Sequence, residues 1–358
     1  MNKTIIWLIV AIVVIAGIWW GVSRKSVQPP TAKKEVIKIG AIFPLTGPAS
    51  SLGETWLKGM ELKVKELQDE GYNIKLVVED SQSDPKEAVR AFNKLVNIDN
   101  IDIIFTTVSS IAMALKPLAE EKEVLLWADS SHPLLTKDSR FILRHASIAD
   151  NDGKIIAEDI LEQGFKKVGI IHSQDDYGLA VKDSLVSYLT KEEVEVFTEA
   201  IDLRGSDFRT QITKIKSQDP SAIVFITIGP SAGYLIKQTR ELKYDKQLYS
   251  SVGFSLTPDA QTIAGEYATG MRYQTYKENP AFEKAFEEKF GRKPSLLSYV
   301  SYTDVELLIY TIEQTESKDP LTIVNFIKGL KKFRGKYEDV KINSQGDIIL
   351  DTTIKTWK

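Results

Sequence analysis

Residues 101–117 read IDIIFTTVSSIAMALKP. A nearly uniform apolar run, Ile101 to Thr107, gives way within two residues to a segment with helical spacing, and the hydroxyls Ser109 and Ser110 stand at the junction. A run this apolar has no wet face, so it reads as a strand covered on both sides, the kind found in parallel sheets wrapped by helices. In such sheets ligands gather beyond the carboxyl ends of the strands, where helices begin and backbone N–H groups lack partners. A serine there can cap its own helix or donate to an anion held at the helix terminus. The pair alone does not choose between the two.

Working outward, the pattern repeats. VIKIGAIF, NIKLVVED, EVLLWAD, KKVGIIHS, EVEVFTEA, SAIVFITI and KQLYSSV are further strand candidates. Between them lie amphipathic stretches such as DPKEAVRAFNKLVNI, in which Ala88, Phe92, Leu95 and Val96 share one face while Lys86, Arg90 and Lys94 point away. The alternation predicts an α/β fold with parallel sheets flanked by helices. IDIIFTTVSS, KVGIIHSQDDYG and AIVFITIGPSAG each end a strand in small or polar residues and enter a helix.

Composition limits what such a fold can do. The chain has 358 residues, enough for about two ordinary cores or one large one. Lys and Arg total 46 against 49 Asp and Glu, for a net charge of −3, and no domain-sized stretch is strongly basic, which argues against a nucleic-acid partner. There is no cysteine, so disulfides, thiolate metal sites, thiol nucleophiles and a lipid-bearing cysteine are all excluded. The three histidines, His132, His145 and His172, are too spread to suggest a metal cluster. No cofactor is expected.

The first 26 residues form a separate segment. Ile5 to Val22, IIWLIVAIVVIAGIWWGV, carries no charge and is about long enough for a bilayer helix, with Trp19 and Trp20 suited to an aromatic belt. It reads as a membrane anchor or a signal segment, its length favouring an uncleaved anchor, and residues 27–35, with Pro29 and Pro30, as an extended linker. Lys3 on one side faces Arg24 and Lys25 on the other, so the positive-inside rule does not orient it.

From Val36 onward the chain resembles the periplasmic leucine/isoleucine/valine-binding proteins, the branched-chain amino-acid receptors of ABC transporters. The resemblance lies in ordered motifs: PLTGPASSLGETWLKGMELKVKEL with Gly53 and Gly59, EDSQSDPKEAVRAFNKLV, VSSIAMALKPLAEEKEVLLWADSSHP, VGIIHSQDDYG, GSDFRTQITKIKSQDPSAIVF and IAGEYATGM. It implies two Rossmann-like lobes joined by crossover strands, lobe one from residues 36–147 plus 276–345 and lobe two from 148–275 plus 346–358. A small molecule would bind between the lobes of a monomer held outside the cytoplasmic membrane and pass to a membrane permease. The family's carboxylate-binding serine falls on Ser109 and its neighbouring hydroxyl on Ser110. The next strand's end falls on Ser130 and Ser131, the lobe-two aromatic on Tyr177, a further turn on Gly229 and the first-loop position on Leu52.

One place departs from that family. The acid that takes the ligand's ammonium in amino-acid-binding relatives falls on Val252, and LYSSVGFSLT holds no Asp or Glu. Either Asp129 substitutes from the first lobe, or the ligand is a carboxylate with a neutral body; the missing acid favours the latter, since an unpaired buried ammonium costs several kcal/mol. His172, Trp56 and Trp127 read as packed residues, and Tyr299, Tyr302 and Asp304 as support for the hinge side. Three functional classes remain: transport receptor, membrane-tethered sensory module, and small-molecule hydrolase. The last lacks a Gly-x-Ser-x-Gly elbow, a phosphate loop and a His-Glu-x-x-His motif.

Overall fold

The computed structural model describes residues 35–291, 293–294 and 296–358. The anchor expected at residues 5–22 and nearly all of the linker lie outside the described residues. Among the described residues no helix is long and apolar enough to cross a membrane.

In chain order the elements are β1 (Ile37–Phe43), α1 (Ser50–Asp69), β2 (Ile74–Asp80), α2 (Pro85–Asn97), β3 (Ile103–Thr107), α3 (Ser109–Lys122), β4 (Leu125–Asp129) and β5 (Ile142–Ala146). The second series is α4 (Ala149–Glu162), β6 (Lys167–Ser173), α5 (Asp176–Lys191), β7 (Glu195–Ile201), α6 (Arg209–Ser217), β8 (Ala222–Ile226), α7 (Pro230–Glu241), β9 (Gln247–Ser250), α8 (Val252–Leu256), α9 (Pro258–Ala264) and β10 (Arg272–Tyr276). There follow α10 (Pro280–Phe290), α11 (Ser298–Thr315), α12 (Pro320–Gly329), the short hairpin β11 (Lys332–Arg334) and β12 (Asp339–Lys341), β13 (Asp347–Ile349) and β14 (Thr352–Thr356).

Two six-stranded sheets result, in the orders β13-β5-β4-β3-β1-β2 and β14-β10-β9-β8-β6-β7. All eight strands anticipated from the sequence form. Strands β3, β4, β5 and β8 are buried along nearly their whole length, as strands covered on both faces must be. Helices α1 and α11 approach closely because residue 59 is glycine: a Cβ there would lie 1.9 Å from the Ser298 carbonyl oxygen.

The last stretch divides differently from the 346–358 expected for lobe two. Strand β13 runs parallel to β5 in the first sheet, with Ile348 opposite His145. Buried Asp347 holds it there, 3.3 Å from Arg144 Nε and accepting from Thr136 Oγ1 at 2.7 Å. The chain crosses only afterwards, and β14 pairs antiparallel with β10 as an edge strand. This departs from an all-parallel expectation at the position where α/β sheets commonly accept an antiparallel strand.

Candidate ligand-binding site

The carboxyl ends of β3 and β4 build one wall. The two strands are paired in register up to Thr107 opposite Asp129, so whatever follows each of them sits side by side, at a strand spacing of about 4.8 Å. After β3 the chain turns through Val108 at φ 74°, ψ 124°. That is a costly conformation for a β-branched residue, of the kind that collects at ligand sites. The turn starts α3 at Ser109, and no side chain caps the helix; the capping reading of Ser109 therefore does not hold. Its Oγ accepts instead from Ser130 Oγ at 3.1 Å, and Ser130 Oγ accepts from the His132 N–H at 3.3 Å. The first N–H groups of α3 keep the positive end of the helix beside these hydroxyls.

Ser131 continues the row. Its Oγ lies 3.4 Å from Ser147 Oγ, which donates to Asp152 Oδ2 at 2.8 Å and meets Tyr276 Oη at 2.9 Å. Asp152 also accepts from Gln274 Nε2 at 2.7 Å, and burial pushes its carboxyl up to about 7. Thr107 Oγ1 donates to Asp129 Oδ2 at 3.0 Å. Burial likewise raises Asp129 to about 7; Thr107, His145 and the Trp56 indole pull the other way.

The second lobe supplies a different surface. Asp175 caps α5 by accepting from the Gly178 N–H at 2.8 Å, which puts Tyr177 in the first turn. Tyr177 is only 6% exposed, yet its hydroxyl has no hydrogen-bond partner. Ile228, Val252 and Leu256 complete an apolar floor. With Leu52, Thr107, Val108, Ser109, Asp129, Ser130, Ser131 and Tyr276 they enclose a cavity of about 40 Å³.

Of the residues singled out from the sequence, Leu52, Ser109, Asp129, Ser130, Ser131, Tyr177 and Val252 thus meet around one cavity. Ser110 does not line it. Nor does Gly229, which stands at the contact between lobes, its backbone (φ 71°) against Pro48. Thr107, Val108, Ile228, Leu256 and Tyr276 were not anticipated. Tyr276 ends a strand that has no apolar run to announce it, RYQTY. His172 is buried, its Nδ1 2.9 Å from the Ser173 carbonyl oxygen, and Asp304 pairs with His145 at 2.6 Å inside the first lobe.

Two α/β lobes that both contribute residues to one cavity are what this arrangement describes. Residues 36–351 match the family model described as periplasmic binding protein, and the chain belongs to that family. It is 27% identical to an amino acid binding protein of Pseudomonas aeruginosa over 341 residues, 90% of each chain. It is 24% identical to the Leu/Ile/Val-binding protein of Escherichia coli K12, covering 83% of this chain and 84% of that one. Among solved structures, a leucine-binding protein of Thermotoga maritima superposes with a TM-score of 0.84 at 24% identity, over 90% of this chain and 95% of that one. A Rhodopseudomonas palustris ABC-transporter solute-binding protein in complex with benzoate does so at 0.80 and 19%, over 90% and 93%. These two likenesses speak to the fold.

Proposed function

We propose that the chain is the extracytoplasmic receptor of an ABC importer, taking a small carboxylate-bearing ligand (an amino acid, branched-chain-like, or a related small acid or amide) into this cavity and passing it to a membrane permease. The observation that carries the reading is the division of labour around the cavity. Serine hydroxyls and the start of α3 converge from one lobe, while an aromatic and aliphatic floor arrives from the other. Convergent donors bind a carboxylate, and the apolar floor shields it from water on closure. Ser109 Oγ is bonded to another serine and not to a base, so it is placed to donate and not to attack, which supports binding over hydrolysis. The names of the relatives support the same ligand class.

Residues 5–22 would tether the receptor to the membrane, with residues 27–35 giving it reach. Thermal unfolding against amino acids, their amides and short carboxylates tests the ligand class, because a ligand that binds only the folded state raises Tm. A chain whose Tm moves with none of them has another ligand class. Fractionation tests the tether: intact protein in the soluble fraction, or trimmed near Ser23, removes it. Co-purification of a permease separates transport from sensing.

A further inference from the structure

The cavity contains a carboxylate that no cationic side chain among the described residues pairs with directly. Asp129 lies at the end of β4, accepts one hydrogen bond from Thr107, and forms no ion pair among the described residues. The cationic groups nearest it are engaged elsewhere. His145 on β5 is bonded to Asp304 Oδ1 at 2.6 Å and lies 3.7 Å from Glu338 Oε2. Arg144 pairs with Asp347 and donates to the His132 carbonyl at 2.9 Å. What else faces Asp129 is neutral or acidic: Thr107 on β3, the Trp56 indole on α1, Tyr276 on β10, and the carboxyls of Asp152 on α4 and Asp304 on α11. A half-buried acid in such company is either neutral or waiting for a positive partner. The Tyr177 hydroxyl, buried on the opposite side of the same cavity, meets no hydrogen-bond partner in the protein.

We propose that Asp129 receives the protonated amino group of the ligand, so that the first lobe alone holds both charged ends of an α-amino acid. The inference rests on the function proposed above and narrows its ligand. Thr107 and Asp129 are register partners on adjacent strands, and Ser109 follows Thr107 by one turn. Anion and cation sites therefore lie side by side, as the carboxylate and ammonium of one α-carbon require. The side chain is then directed at Ile228, Val252 and Leu256, which select an apolar body. The acid absent at Val252 is replaced from across the cleft, and the leaning toward a des-amino ligand that its absence suggested gives way. Both charges are caught before the second lobe closes.

The test is calorimetry of the full chain with alanine, valine, leucine, isoleucine and phenylalanine, each beside its des-amino acid, at pH 7.5 and 5.5. The best amino acid is expected to bind at least tenfold tighter than its des-amino partner at pH 7.5. The advantage shrinks about tenfold at pH 5.5, where Asp129 takes up a proton, and disappears in Asp129→Asn while the des-amino affinity stays within threefold. A des-amino acid that binds the native chain as tightly as its amino acid overturns the inference and leaves the proposed function standing. So does a preference that survives in Asp129→Asn. If that variant does not fold, the pH series on the native chain decides, and an advantage unchanged between 7.5 and 5.5 overturns it. Binding of no probe in either series overturns the ligand class itself, and this inference with it.

Discussion

Gly229 of the second lobe and Pro48 of the first meet so closely that a Cβ at position 229 would lie 2.2 Å from the Pro48 carbonyl oxygen. The glycine's φ of 71° and ψ of −165° belong to a region that side chains avoid. Arg204 Nη2 and Asp84 Oδ2, 3.8 Å apart, also join the two lobes. Gly229→Ala should therefore hold the lobes apart. Ligand affinity is expected to fall at least tenfold, mostly through faster release, with about 1–3 kcal/mol of added backbone strain in the closed form. Stopped-flow release and small-angle scattering check it, and a variant that still compacts on ligand addition would show that the contact is not needed for closure.

Tyr177→Phe removes a buried hydroxyl that makes no well-formed hydrogen bond in the protein, with only Ser251 and the Gly253 backbone near it. Its loss costs the unliganded fold little, so Tm should stay the same or rise slightly. If the hydroxyl meets the ligand, release speeds up about fivefold, on the order of 1 kcal/mol. An unchanged release rate would place it outside the ligand's reach.

For Ser109→Ala the two readings of the serine give opposite results. A helix cap lost would lower Tm by about 1 kcal/mol of stability and leave affinity alone. A ligand-bonding hydroxyl lost should weaken binding by about 1–3 kcal/mol with the fold intact. The second outcome is expected, because Ser109 bonds to Ser130 and no side chain caps α3. Calorimetry and melting of one variant distinguish them.

The strands that announced themselves were the apolar ones. Runs such as IDIIFTT and SAIVFITI have one reading, whereas β5 (ILRHA) hides a buried Arg144 and His145, and β10 (RYQTY) mixes polar with aromatic residues. These strands are stabilised by partners distant in sequence: Arg144 by Asp347, His145 by Asp304, Gln274 by Asp152. No local pattern records such pairs, and so Tyr276 went unseen. The β3–α3 junction was legible because its chemistry is local. Which sheet takes Asp347–Ile349 was not, since the choice turns on contacts distant in sequence, the Arg144 and Thr136 bonds to buried Asp347.

The acids of raised pKa, half-buried Asp129 and buried Asp152, predict that stability and binding respond oppositely to pH. Burial raises Asp129 and Asp152 to about 7, against about 3.9 for an aspartate in an unfolded chain. Between those values the folded chain holds protons that the unfolded chain has released, so this part of the stability is present in full below the unfolded value and is lost as pH rises through 7. His145 acts in the same direction. Burial disfavours its charged ring, but Asp304 and Glu338 outweigh that and lift it to about 10, so its contribution is complete below about 6.5 and fades toward the raised value. Asp80 works the other way: its donors Thr46, Gln82 and Leu45 overcome burial and lower it, so its contribution fails only in stronger acid. Tm of the unliganded full chain should thus fall steadily from pH 5 to pH 8, and Asp152→Asn should flatten the part below 7. Over the same interval an amino acid held by Asp129 binds more tightly, since the carboxylate it needs is forming. A Tm that is flat or rises from pH 5 to 8 would mean that these carboxyls are already ionised in the fold, and the shared pH origin of both effects would be lost.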